Sequence, residues 1–299
     1  MIFDEQKPTS WDINFRIFRV PVRVSIWFWV LTFLLGYDLV KTLGPEYLLI
    51  WVACVFVSIL LHELGHVWMG QAFGNDGRIV LQSFCGLAIG SNGQPYRWQR
   101  ILVSLAGPGI QLLFVGLMLI VLHLIDQRPQ LLIDAISANA RQEYKDGKID
   151  FFHSIINPIF GVTIQPTWSE HLQMTILFLF EINLFWALLN LLPVWPLDGG
   201  KVSRELFTSF NPQQGVRNSL ALSLVTSLVL VVNSASLMMD GPGIPYMPSG
   251  GWFMVCLFVY FAYENFVYIQ MERARSLGGW SDSGDDRMPW ETDPDAWKR

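Results

Sequence analysis

Two imidazoles four positions apart, His62 and His66, enclose Glu63 in the run His62-Glu63-Leu64-Gly65-His66. On a helix, positions i and i+4 share a face, so both rings can point at one metal ion. Glu63, next to the first histidine, is then placed to take a proton from a water the metal activates, rather than to ligate. The chemistry on offer is metal-assisted hydrolysis. The run sits inside residues 47–70, a nearly unbroken apolar stretch. About 20 such residues cross a bilayer, and ionisable groups are costly enough there to be functional candidates.

Catalytic zinc usually keeps three protein ligands and one open position, so two histidines leave the set incomplete. The best third candidate is Asp198, in Asn190-Leu191-Leu192-Pro193-Val194-Trp195-Pro196-Leu197-Asp198-Gly199-Gly200. The two prolines break a helix here, and the two glycines let the backbone turn tightly or approach closely behind the carboxylate. Asp-Gly-Gly is also ordinary turn chemistry. What favours the ligand is position, because the run follows the fourth apolar segment on the membrane side where His66 lies.

The remaining polar groups in apolar segments carry other expectations. Asn183 is read as helix-to-helix glue, Glu181 as facing the protein interior, and Glu264 as reaching toward water at the interface. Gly107, Pro108 and Gly109 are expected to permit close helix packing. His123, His153 and His171 fall near or in the third loop, on the opposite side, and are set aside as ligands.

The elements that must position these groups are membrane helices. The 299 residues are 52% hydrophobic and only 15% charged, with a mean hydropathy of +0.36. That is too apolar for an ordinary soluble globule and fits a multi-pass membrane protein in a lipid bilayer. The net charge of -5 comes partly from an acidic tail and says little about nucleic acid, but there is no basic patch, and no nucleic-acid partner is expected. Cys54, Cys85 and Cys256 share no zinc or redox spacing, and those in the spans are expected to be buried free thiols. No cleavable leader is read, so the first span is expected to be retained.

Six apolar segments, 24–40, 47–70, 101–125, 172–192, 220–239 and 252–270, predict an all-α membrane protein of about six transmembrane helices. Residues 1–23 form an N-terminal segment, 24–270 the membrane domain, and 271–299 a disordered tail. Lys7, Arg16, Arg19 and Arg23 precede the first span, and further basic residues lie in the second loop (Arg78, Arg97, Arg100) and the fourth (Lys201, Arg204, Arg217). The third loop, with Arg128, Arg141, Lys145 and Lys148, is the exception. The pattern puts both termini in the cytoplasm, in the cell membrane. Residues 79–90, too short to cross as a helix, predict a short strand or hairpin. Residues 130–140 suit an amphipathic helix, and 151–160 a segment resting on the outer surface.

The His62–His66 motif, followed over a hundred residues later by the Asn190–Gly200 run, resembles the site-2 protease family of intramembrane zinc metalloproteases. Ala106-Gly107-Pro108 resembles the family's Ala-Gly-Pro signature, Phe84-Cys85-Gly86-Leu87-Ala88 its membrane-embedded β-hairpin, and Arg19-Val20-Pro21-Val22-Arg23 the start of members without a leading extra domain. Gln111 stands where many members carry Asn, a change expected to touch packing rather than metal chemistry. The resemblance implies one zinc ion held by His62, His66 and Asp198, with Glu63 as catalytic base. It also implies that Asn190 clamps the substrate strand and that Phe84 and Gly86 lie in the hairpin; separately, an edge strand at 84–88 is expected to hold the extended substrate backbone by strand addition. The implied substrates are membrane-spanning proteins, cut in regulated intramembrane proteolysis. The alternative is an idle relative acting as a membrane-protein-binding scaffold or chaperone, against which the intact Glu63 argues.

Overall fold

Apolar residues alternate at Ile13, Phe15 and Ile17 and again at Val20, Val22 and Val24, the period of a strand with one buried face. A computed structural model describes residues 7–82, 85–91, 93–125, 169–239 and 251–277. In it these two runs form a hairpin, β1 (Ile13–Ile17) and β2 (Val20–Val24), joined by Phe18 and Arg19 at φ 45° and 70°. Two positive φ values in a two-residue loop match the right-handed twist of the strands. The sequence reading left this segment without structure. It is half of a sheet.

The other half is β3 (Arg78–Gln82) and β4 (Cys85–Ile89), the strand pair expected between the second and third helices. The order is β1-β2-β3-β4, with β2 and β3 parallel and the outer pairs antiparallel. A parallel pair needs a crossover, here supplied by α1 (Ile26–Thr42) and α2 (Pro45–Ala72). Ser25 makes the corner. Its N–H donates to Leu81 O at 2.8 Å, prolonging the sheet, and its hydroxyl caps α1 by accepting from Trp27 N at 3.4 Å. Gly44, at φ 128°, and Pro45 then stop α1 from running into α2.

The helices α3 (Arg97–Ile125), α4 (Glu170–Asn190), α5 (Asp198–Phe210), α6 (Gly215–Met238) and α7 (Gly251–Leu277) complete the described chain. Five helices, α2, α3, α4, α6 and α7, are long and apolar enough to cross a membrane. The sixth expected span, α1, is shorter, with an apolar part of 26–37. The last helix continues through Leu277, past the expected start of the tail. Phe84, segments 130–140 and 151–160, and residues 278–299 lie outside the described residues.

Helix α2 is the centre, and its faces divide the work. Leu60, Leu64 and Val67 pack with Val20, Val22, Val24, Ile79 and Leu81 of the sheet's inner face in one apolar cluster. Another face meets α3, where a Cβ on Gly65 would come 2.5 Å from Ala106 O, so only glycine allows that crossing. Gly109, expected to assist close packing, meets nothing within 4 Å. Helices α6 and α7 pair with each other. They reach the break after α4 through Leu230, Met254, Phe258 and Phe261 against Leu189, Val194 and Leu197. Two expectations fail on the last helix. Glu264 does not reach for water but is buried and accepts 2.7 Å from Tyr260 Oη, and Cys256 is exposed while Cys54 is buried.

Candidate metal centre

Successive residues of one stripe of α2, Ser58, His62 and His66, stand four apart, and so do Val103, Gly107 and Gln111 on α3. The two stripes face each other. His62 Nδ1 lies 2.9 Å from Gln111 Oε1, and His66 Nδ1 lies 2.7 Å from Val103 O. Gln111 Nε2 is turned the other way, donating to Ser58 O at 3.2 Å and Asn183 Oδ1 at 3.3 Å. Asn183 Nδ2 in turn donates to Ser58 Oγ at 2.8 Å and Leu179 O at 2.7 Å. Both histidine partners are therefore acceptors, so both Nδ1 atoms carry the proton and both Nε2 atoms present lone pairs.

Those lone pairs converge. His62 Nε2 and His66 Nε2 are 3.1 Å apart, and each is 3.1 Å from Asp198 Oδ2. Asp198 begins α5, where a helix N-terminus favours negative charge. Its Oδ1 accepts 2.9 Å from Lys201 Nζ, while its buried Oδ2 has no hydrogen-bond donor among the described residues. Three acceptor atoms at such separations repel unless a cation lies among them. A tetrahedral zinc with bonds of about 2.0–2.1 Å spaces its ligand atoms by about 3.3 Å. The donor set fits one zinc ion. Among the described residues this is the group of three histidine, cysteine or acidic side chains whose ligand atoms converge.

Glycines make the room. A Cβ on Gly107 would collide with His66 Nε2 and lie 2.5 Å from His66 Cε1, in the space an ion would share. A Cβ on Gly199 would strike Leu191 O, and one on Gly200 would come 2.5 Å from Trp195 N, so α5 starts in direct backbone contact with the 191–195 turn. This close approach, not a special φ, is what Asp198-Gly199-Gly200 requires. Glu63, buried one position past His62, points toward β4, where a Cβ on Gly86 would collide with its Cγ and lie 2.5 Å from its Cδ. Asn190 is buried, with Nδ2 donating to Trp186 O at 2.9 Å. Phe84 is outside the described residues.

Sequence reasoning missed the role of Gln111. It was expected to affect packing alone, yet it bonds to His62. Its spacing from Gly107 and Val103 on an apolar span was the available signal. Lys201 was missed too, and its i,i+3 spacing from Asp198 was the clue. His171, set aside, stacks on Tyr47 with ring centroids 5.3 Å apart and joins no ligand group among the described residues.

Fold and site together define a multi-pass membrane protein with a zinc-type ligand set enclosed among its helices. The chain belongs to peptidase family M50, the site-2 protease family of membrane zinc metalloproteases, whose family model it matches over residues 50–233. A curated relative from Synechocystis sp., "Putative zinc metalloprotease sll0528", is 29% identical over 202 residues, which are 64% of this chain and 42% of that protein. The chain thus spans about two fifths of the length of that relative. A solved structure, the site-2 protease from Methanocaldococcus jannaschii, aligns over 85% of this chain and 94% of its own, at 17% identity and a TM-score of 0.49.

Proposed function

We propose that this chain is an intramembrane endopeptidase that cleaves membrane-spanning substrate proteins, with 24–270 as its peptidase domain and its role in regulated intramembrane proteolysis. The observation that carries the reading is the meeting of Asp198 Oδ2 with both histidine Nε2 atoms at 3.1 Å. His62, His66 and Asp198 hold the zinc. When bound, zinc supplies a Lewis acid that brings water's pKa to about 7 and polarises a scissile carbonyl.

The chain's own residues do the rest. Gln111 and Val103 fix the histidine tautomers, and Lys201 holds Asp198 Oδ1 so that Oδ2 faces the site. Glu63 is the catalytic base: its carboxylate takes a proton from the attacking water and passes it to the leaving amine. A helical substrate hides its peptide bonds, so it must unwind first. Strand β4 is an edge of the sheet, and an edge offers unpaired N–H and C=O groups to an extended chain. Gly86 on that edge brings such a chain beside Glu63, with Phe84 as a further substrate-binding residue and Asn190 hydrogen-bonding the substrate backbone. Basic residues before α1 favour cytoplasmic termini, in the cell membrane.

The test is Glu63→Gln in the full chain, reconstituted in vesicles with a single-span test substrate. The expected result is wild-type zinc content with cleavage abolished. Cleavage at the wild-type rate by the purified variant would overturn the mechanism.

A further inference from the structure

The N–H groups of Leu191 and Leu192 still donate to Ala187 O and Leu189 O of α4, but the prolines stop the ladder beyond them, and the buried backbone groups that follow must be satisfied elsewhere. At Trp195 they are satisfied by side chains from the last two helices. Trp195 N–H donates to Ser223 Oγ of α6 at 3.1 Å, and Asn265 Nδ2 of α7 donates to Trp195 O at 2.8 Å. Ser223 Oγ also lies 3.1 Å from Pro193 O, two residues back. Both side chains are buried, Ser223 at 1% and Asn265 at 0% exposure. The indole ring is covered in addition by the Arg204 guanidinium, 5.5 Å from its centroid.

From Trp195 to Asp198 the chain has little freedom. Pro196 fixes its own φ, and Leu197 N–H donates to Val194 O at 2.8 Å. The Gly200 backbone then rests on the Val194–Trp195 peptide, whose N–H Ser223 receives, with no space for even a methyl group. A shift of that peptide therefore moves the carboxylate three residues on.

We propose that the Trp195 peptide is the post on which the third metal ligand is mounted, and that Ser223 and Asn265 are positioning residues for Asp198. The inference rests on the metal-site reading above. It assigns α7, which lies wholly beyond the 50–233 span of the family match, a part in setting the metal geometry. Neither residue touches the reacting atoms. They act through the backbone.

The experiment uses the full chain in detergent, loaded with zinc and challenged with a chelator while zinc release is followed. The same proteins are loaded with cobalt and their visible absorption is recorded. Ser223→Ala and Asn265→Leu are compared with Ser227→Ala, a control whose buried hydroxyl donates to Ser223 O within α6. Ser223→Ala and Asn265→Leu are each expected to release zinc about tenfold faster, the lower end of the effect of an outer-shell partner, and to alter the cobalt bands. Ser227→Ala is expected to do neither. Should Asn265→Leu fail to fold, the milder Ser223→Ala still carries the test. Zinc release within about twofold of wild type, with unchanged cobalt bands in Ser223→Ala, would overturn the proposal, a twofold change being far below that range. Equal losses in Ser223→Ala and Ser227→Ala would overturn it as well, by pointing to general loosening of α6. A wild type that takes up no zinc would be a different failure, that of the metal site itself.

Discussion

Gln111 Oε1 accepts a hydrogen bond from His62 Nδ1 at 2.9 Å, so a residue on the third helix sets the tautomer of a proposed metal ligand on the second. Its orientation is in turn fixed by Ser58 and by Asn183, which joins α4 to the same buried network. Gln111→Leu removes the acceptor and leaves the His62 N–H unpaired in an apolar site. Zinc affinity is expected to fall by about 10–100-fold, the range for outer partners of metal-bound histidines. Asn183→Leu, one bond further out, is expected to cost less. Chelator competition on the purified variants measures both, and an unchanged affinity in Gln111→Leu would refute the role.

Gly86 makes a separable prediction, because its missing side chain leaves room for Glu63 rather than for the ligands. Gly86→Ala forces the glutamate aside while His62, His66 and Asp198 keep their places. Zinc content should stay at the wild-type level, and cleavage should drop on the order of 10²-fold, as expected for a catalytic group displaced by about 1 Å. Loss of zinc in this variant would show that the clash is relieved by moving α2 instead.

How much of this was legible beforehand follows from which relations are local. The spacing of His62 and His66 lies within one helix, so the sequence alone places the two rings on one face, with Glu63 beside the first. Asp198 was legible through the helix break and glycines around it. The partner of His62 was not, because sequence indicates which residues of α3 share a stripe but not how α3 is rotated against α2. That rotation depends on Gly65 meeting Ala106, a contact between chain positions far apart. The β1–β2 hairpin was hidden for another reason. Its strands alternate plainly, but the turn is Phe18-Arg19, which lacks the glycine or asparagine that usually announces positive φ. Glu264 misled because a carboxylate expected at the membrane interface ordinarily reaches water, whereas it stands in the middle of α7 and Tyr260 supplies its hydrogen bond in the interior.

Helix α5, which carries Asp198, is tied to the start of α3 by a two-pronged ion pair. Arg100 Nε donates to Glu205 Oε1 at 2.7 Å and a terminal nitrogen to Oε2 at 2.8 Å, while Arg100 also reaches Gln94 O at 3.2 Å. Both side chains are partly shielded, so the pair should contribute at the upper end of the surface range, with a coupling of about 1 kcal/mol. A double-mutant cycle of Arg100→Ala and Glu205→Ala, read by thermal unfolding in detergent, measures it. Arg100→Lys should recover little, since an ammonium cannot reproduce the fork.

Two glycines within one turn of α3 give a sharper contrast. Gly107 and Gly109 stand in the same Ala-Gly-Pro-Gly run and have the same intrinsic effect on a helix, so propensity cannot distinguish them. Their surroundings can. A methyl group on Gly107 would enter the space between the two imidazoles, against His66 Nε2 and 2.9 Å from His62 Cε1, whereas one on Gly109 meets nothing within 4 Å. The backbone of α3 cannot withdraw to relieve the first clash, because Ala106 O is already in close contact with Gly65 and Val103 O holds His66 Nδ1. Gly107→Ala should therefore turn the rings away and lower zinc affinity by about a hundredfold or more, beyond the effect of losing an outer partner. Gly109→Ala should bind zinc as the wild type does. Elemental analysis after dialysis against a weak chelator reads both, and a Gly107→Ala protein that keeps its metal would mean that the ion does not lie where the lone pairs of His62, His66 and Asp198 converge.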